Sequence, residues 1–308
     1  MRRFISRFVE LFAILGVVGL FDATTAHAQA CCAGASAITP GRLVMHDVAL
    51  VGAQLRSSLV LGSFDGKGSY ANNPPGTSDV EFEEDLFAAL RVFDEGQIAL
   101  LVPFLQARRE DRSGSEFGGG IGDLAINARY DFYPAGRSLY IPGIALIAGV
   151  TLPTGVAPEN AKRLGTNATG LGVVAGGAGI ALEQTYGDWF FTLIGQVAFR
   201  ADRSVKNVGK TALAPQWSGL AGVAYAFHDG SSLGLSLQYS AEGDATIDGV
   251  TQPESARRRT LLSLAGLYPL HDDWSLRAYL LWDPPIDSLG KNQLQNTGIG
   301  VNAIKAWR

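Results

Sequence analysis

Between residues 233 and 240 the chain alternates without a fault. Leu233, Leu235, Leu237 and Tyr239 are apolar, and Gly234, Ser236, Gln238 and Ser240 between them are small or polar. Successive side chains of a strand point to opposite faces, so a period of two predicts a strand with one dry face and one polar face. The pattern recurs at 123–132, where Leu124, Ile126, Ala128, Tyr130 and Phe132 interleave with Asp123, Asn127, Arg129 and Asp131. It recurs again at 189–200, with Trp189, Phe191, Leu193, Val197 and Phe199 against Thr192, Gln196 and Arg200. Twelve such segments are legible: 49–64, 80–93, 97–107, 120–133, 141–152, 170–186, 189–200, 216–228, 233–241, 260–270, 274–282 and 294–307. The sixth, with its run Val173 to Gly179, is weakly patterned.

The connectors select the architecture. Short ones (94–96, 134–137, 187–188, 229–231 and 271–273) alternate with long ones (65–79, 108–119, 153–169, 201–215, 242–259 and 283–293). An even strand count, with tight turns at one end and long loops at the other, is the layout of an outer-membrane barrel. The strands are also long enough: a tilted membrane strand needs about 9–11 residues, whereas strands of soluble proteins usually run about five or six. Aromatic residues collect at both strand ends. Phe93, Tyr130, Phe132, Tyr186, Trp189, Tyr225, Phe227, Tyr268, Trp274 and Trp307 fall near the short turns, and Phe82, Phe104, Phe199, Trp217, Tyr239 and Trp282 near the long loops. Two such belts are what interfacial girdles require. In hydrocarbon each unpaired backbone group costs several kcal/mol, so a sheet without a cover closes on itself. The expected fold is therefore all-β, a twelve-stranded antiparallel transmembrane barrel over residues 48–308.

Closure turns one face to lipid and the other to a lumen, which should hold the polar members of the alternation. These are Gln54 and Arg56; Glu81, Glu83, Asp85 and Arg91; Asp123, Asn127, Arg129 and Asp131; Arg200; and Arg277. Charges of both signs fit cross-lumen salt bridges that narrow the interior as well as they fit a selectivity filter. Glu84 breaks the alternation and is expected close to the interface.

The first 30 residues read as an export signal. Arg2, Arg3 and Arg7 form a positive start, 11–21 an apolar stretch too short to span a bilayer, and Ala28-Gln29-Ala30 a small-x-small cleavage site. Cleavage leaves Cys31-Cys32 at the new N-terminus, open either to lipid modification of Cys31 or to a vicinal disulfide. With no other Cys there is no disulfide framework. Residues 31–47 then form a periplasmic segment or a plug.

Composition removes other classes. A 47% apolar content excludes a disordered chain, and a formal net charge of −4 without a Lys/Arg run of five or more excludes an ordinary nucleic-acid binder. Catalytic strings fail on context. Gly230-Ser231-Ser232-Leu233-Gly234 fits G-x-S-x-G but leads into a strand rather than a helix. Gly209-Lys210-Thr211 ends like a phosphate loop, yet Ser204 stands at the place of its first Gly. Gly170-Leu171-Gly172-Val173-Val174-Ala175 matches a dinucleotide fingerprint loosely, with no βαβ unit around it. His46, His228 and His271 have no ligand spacing, and the last two sit at the short-turn end, away from any surface lipid substrate. The expectation is a protein without enzymatic activity, cofactor or metal.

The stretch from Gly118 to Phe132, followed by Leu152-Pro153-Thr154-Gly155, resembles the G-x-G-D…(Lys/Arg)-Tyr and L-P-T-G pair of the transporter barrels associated with meta-pathway phenol degradation in Gram-negative bacteria. The likeness is specific over 117–155 and architectural elsewhere. It implies that Asp123 and Arg129 point into the lumen, and that the protein is an outer-membrane channel admitting hydrophobic or aromatic compounds. The chain ends Ala306-Trp307-Arg308, its aromatic one place earlier than the common terminal position. The sequence thus predicts passive passage of small solutes, with outer-membrane lipid and lipopolysaccharide as surroundings and no nucleic acid as partner. The alternative is a structural or surface-interaction barrel whose lumen is plugged.

Overall fold

A computed structural model describes residues 41–308 apart from Met45, Arg163, Lys206, Asn207 and Asp272. The signal peptide expected at 1–30, and residues 31–40 with Cys31 and Cys32, lie outside the described residues. Twelve long strands follow in order: β1 Ala49–Phe64, β2 Ser78–Phe93, β3 Gly96–Asp111, β4 Leu124–Tyr133, β5 Gly143–Leu152 and β6 Ala175–Tyr186. The second half comprises β7 Trp189–Arg200, β8 Gln216–Ala226, β9 Ser232–Glu242, β10 Arg257–His271, β11 Trp274–Trp282 and β12 Gln293–Trp307. Each pairs antiparallel with its chain neighbours, and β12 returns to β1, with Ala49 opposite Trp307. The sheet therefore closes into a barrel that leaves no edge along these strands.

The alternation decides which way each strand faces. Leu55, Leu86, Leu193 and Leu235 are all more than half exposed, while their neighbours Gln54, Asp85, Thr192 and Ser236 are buried. Such an apolar outer wall suits hydrocarbon rather than water. Its height is set by the aromatic belts. From Phe93 to Phe82 the chain climbs eleven residues, which at ~3.3 Å per residue and a ~40° tilt spans roughly 28 Å. Glu84 lies on this outer face, in register with Leu55 and Phe104, two residues below Phe82. It thus sits close to the aromatic belt, where a carboxylate can reach water.

Three boundaries that shape the interior or its rim differ from the sequence reading, while the expected loops 201–215 and 242–259 carry a small four-stranded sheet of their own. Residues 108–119, expected as a loop, form a hairpin instead: β3 runs on to Asp111, and Gly114–Ile121 pairs back along it. At Gly118 the space for a side chain is already taken, since Thr166 Oγ1 lies only 2.5 Å from where a Cβ would stand. Gly118 is small because loop 153–174 folds inward against it, and Gly119 because the β3 backbone at Leu105 and Gln106 leaves a Cβ no room. Residues 170–174 belong to that loop, so β6 starts at Ala175. The turn expected at 134–137 extends to Pro142 and leans on the outer wall, where Gln184 Nε2 donates to the carbonyls of Ser138 and Leu139 at 3.0 and 2.9 Å.

Packing is tightest inside the short-turn end. Leu43, Leu50, Phe87, Ala89, Ala99 and Ile304 form a buried cluster. The Phe87 ring lies over Gly52, as the Tyr279 ring lies over Gly300. A Cβ at either glycine would collide with the ring, so these two positions let large aromatics lie flat on the inner wall.

Candidate functional site

The polar residues of the inner face are organised in pairs by register. Arg56 and Glu83 stand opposite each other on β1 and β2 and form an ion pair. One step along, Gln54 Nε2 donates to Asp85 at 2.6 Å, and Asn302 Nδ2 on β12 donates to Gln54 at 3.3 Å. Arg277, on β11 opposite Asn302, is buried in the same wall. Higher on β2, Asp79 and Glu81 both engage Arg109 of β3, at 3.0 and 3.1 Å. Arg109 also donates to the Leu164 carbonyl at 2.9 Å, joining the wall to loop 153–174.

A second network crosses β4 to β6 lower down. Arg129 meets Asp131, two residues on along the same face, at 2.6 Å, and reaches over β5 to Glu183 of β6 at 2.8 Å. The reach is possible because Ala145 and Ala181 make a flat floor, both essentially fully buried. Glu183 also receives Arg42 at 2.6 Å, and the Arg42 guanidinium stacks 5.8 Å over the Phe190 ring. Arg42, Leu43, Val44 and Asp47 are thereby tied to the inner wall. The Leu43 amide donates to Gln97 at 3.0 Å, and Arg91 donates to the carbonyls of Asp47 and Val44 at 2.9 and 2.7 Å.

Asp123 does something different from what its place on the inner face suggested. Its two carboxylate oxygens accept the amides of Gly155 at 2.9 Å and Leu171 at 2.6 Å, one near each end of loop 153–174. Thr154 Oγ donates to the Gly122 carbonyl at 2.6 Å and accepts the Leu124 amide at 3.0 Å. The G-x-G-D and L-P-T-G strings are therefore two halves of one clasp. Asp123 and Arg129 are not brought together: the first holds the loop, the second the lower network.

Among the described residues, two sizeable chambers lie between these networks. The lower, about 340 Å³, has Arg129, Glu183 and Arg42 at one end and Ala99, Ile147 and Ile194 among its walls, with Asn127 beside Gly149. The upper, about 310 Å³, lies toward the long loops and is lined mainly by amides and hydroxyls. Arg200 closes its rim in a 2.6 Å pair with Glu242. Arg259 is paired at 3.1 Å with Asp283, which lies at the start of the last long loop. Burial pushes the Asp283 carboxyl above its ordinary range, opposed by the Arg259 charge and by the Asn296 amide. Asp47, outside the strands at the other end, is likewise raised by burial against the Val44 amide, Arg308 and Arg91. No group of three or more His, Cys, Asp or Glu among the described residues could hold a metal ion.

Sequence reading missed Arg42, Arg109, Glu183, Glu242, Arg259 and Asp283. Glu183 carried a usable signal, since it shares parity with Ala181 and stands out among the small residues of that face. The others sit at strand ends or beyond them, where alternation fades.

A family profile described as "Putative MetA-pathway of phenol degradation" matches residues 64–301. An outer-membrane channel from Pseudomonas putida F1 superposes with a TM-score of 0.71 at 14% identity, covering 87% of this chain and 98% of that one. The translocator domain of the autotransporter NalP from Neisseria meningitidis gives a TM-score of 0.48 at 14% identity, over 84% of this chain and 88% of that one. The KdgM porin gives 0.46 at 9% identity, over 83% and 99%. No curated protein matches.

Proposed function

The chain belongs to the phenol-degradation family whose profile spans its residues 64–301, and from that premise we propose that it is an outer-membrane channel for passive passage of small, partly apolar solutes, aromatic ones included. The observation that carries the reading is the pair of adjoining chambers inside a closed, membrane-faced barrel. Passage needs no bond to be made or broken. It needs a path whose radius and wall groups set what moves. In this reading Arg56, Glu81, Glu83, Asp85, Arg91, Asp123, Asn127, Arg129, Asp131, Arg200 and Arg277 shape the lumen, and the ion pairs Arg56–Glu83, Arg129–Asp131 and Arg200–Glu242 offset part of its charge.

The test is single-channel conductance of the refolded mature protein in a planar bilayer across a salt series. Discrete steps, with cation-to-anion selectivity shifted toward cations in Arg129→Ala, are expected. Silence from a demonstrably folded barrel would overturn the open-channel reading.

A second reading is a lumen occluded by residues 31–47, in a barrel whose work lies at its surface. It is favoured by the seating of Arg42 and Leu43 against Glu183 and the buried apolar cluster. Deleting 31–47 distinguishes the two: a several-fold rise in conductance supports the plug, and unchanged conductance counts against it.

A further inference from the structure

We propose that the inner wall of β7 to β10, toward the long loops, is a hydrogen-bonding station that selects uncharged, hydroxyl-bearing solutes. The inference rests on the channel reading and names its substrate class. Register places Gln196 opposite Ser218, Ser218 opposite Ser240, and Ser240 opposite Arg259. Directly opposed residues on neighbouring strands stand ~5 Å apart, so the four make one continuous row across four strands. All four line the upper chamber, together with Gln216 and Gln238.

Two features make this row a receiving surface rather than another wall network. First, among the described residues the side chains of Gln196, Ser218, Gln238 and Ser240 make no hydrogen bond. This contrasts with the neighbouring wall, where Ser236 and Ser263 bond each other at 2.6 Å. Their amides and hydroxyls each both donate and accept, which matches a hydroxyl on the solute. Second, the charges beside them are already committed, Arg259 to Asp283 and Arg200 to Glu242. An ionic solute would leave water without meeting an uncompensated countercharge, and that is costly.

The next tier toward the lower chamber supplies the other half of the recognition. Ile194 stands opposite Leu220, and Leu261 occupies the same tier on β10 opposite Gln238. Gln196 and Ala198 border both chambers, so a hydroxyl held at the row leaves an apolar body facing Ile194 and the lower chamber. The ligand class is an uncharged molecule with a hydroxyl-bearing end and an apolar or aromatic end.

The test is saturation-transfer NMR on the mature barrel in lipid nanodiscs, with empty nanodiscs subtracted. Catechol is the probe, benzoate the charged comparator and toluene the comparator without hydroxyls. Catechol should receive saturation and the two comparators should not. The double variant Q196L/Q238L should bind catechol about tenfold more weakly, as loss of two ordinary hydrogen bonds implies. The milder S218A/S240A should weaken it severalfold and serves if the first pair fails to fold. Unchanged catechol binding in both variants, or benzoate or toluene binding as tightly as catechol, overturns the proposal. Conductance of the same samples keeps the two readings apart. Hydroxyl-dependent binding without current would sink the channel and leave this site standing, whereas current without such binding would sink the site alone.

Discussion

At the scale of single residues, the Arg259–Asp283 pair shows how unequal two partners can be. Asp283 is almost wholly buried, whereas the Arg259 side chain is 41% exposed. Arg259→Ala would strand a buried carboxylate and should cost about 3 kcal/mol, while Asp283→Asn leaves only a solvated guanidinium and should cost under about 1 kcal/mol. The pH dependence has a definite sign. Burial raises the folded-state pKa of Asp283, so the native protein keeps this proton over a range in which the unfolded chain has lost it. Its contribution to stability therefore falls as pH rises through the folded value. Removing Arg259 raises that value further. The deficit of Arg259→Ala should be largest near about pH 7 and shrink on acidification toward about pH 4. Denaturant unfolding of the folded barrel at the two pH values checks this, and a deficit that grew in acid would contradict it.

At the scale of elements, the clasp between Asp123 and loop 153–174 makes the sharpest prediction. Two amide bonds to one carboxylate are worth about 2–4 kcal/mol together. Asp123→Ala should therefore loosen the loop without unfolding the strands. Trypsin cleavage after Lys162 should accelerate at least tenfold, and Asp123→Asn should fall between. The strands were legible in the sequence because lipid requires an apolar residue at every second position, a local rule that a reader can count. The hairpin at 108–121 was not legible, since Gly118 answers to Thr166, more than forty residues further on, and Gly119 to the strand it pairs with. The same limit governs the interior. Alternation placed Arg129 and Asp131 on the inner face, but only the register of β4, β5 and β6 shows that Arg129 spans two alanines to reach Glu183. Asp123 was visible through its motif, yet its work as a loop clasp depends on amides that no local pattern announces.

At the scale of the whole molecule, the seam between β1 and β12 brings the start and the end of the barrel side by side, with Ala49 facing Trp307 and Arg308 3.9 Å from Asp47. Joining 48 to 308 by a short linker and opening the chain at the Asp94-Glu95 turn should give a permuted barrel that still folds and conducts as the parent lacking 31–47 does. A permutant that fails to fold would mean that the original order of synthesis matters. The seam also has a kinetic meaning. Contacts between neighbouring strands span few residues and form early, but this one must wait for nearly the full chain and bears most of the loop-closure cost. Until it forms, two strand edges stay unpaired, which hydrocarbon does not tolerate. Insertion and closure are thus forced into a single event, and this one junction distinguishes a finished molecule from a failed one.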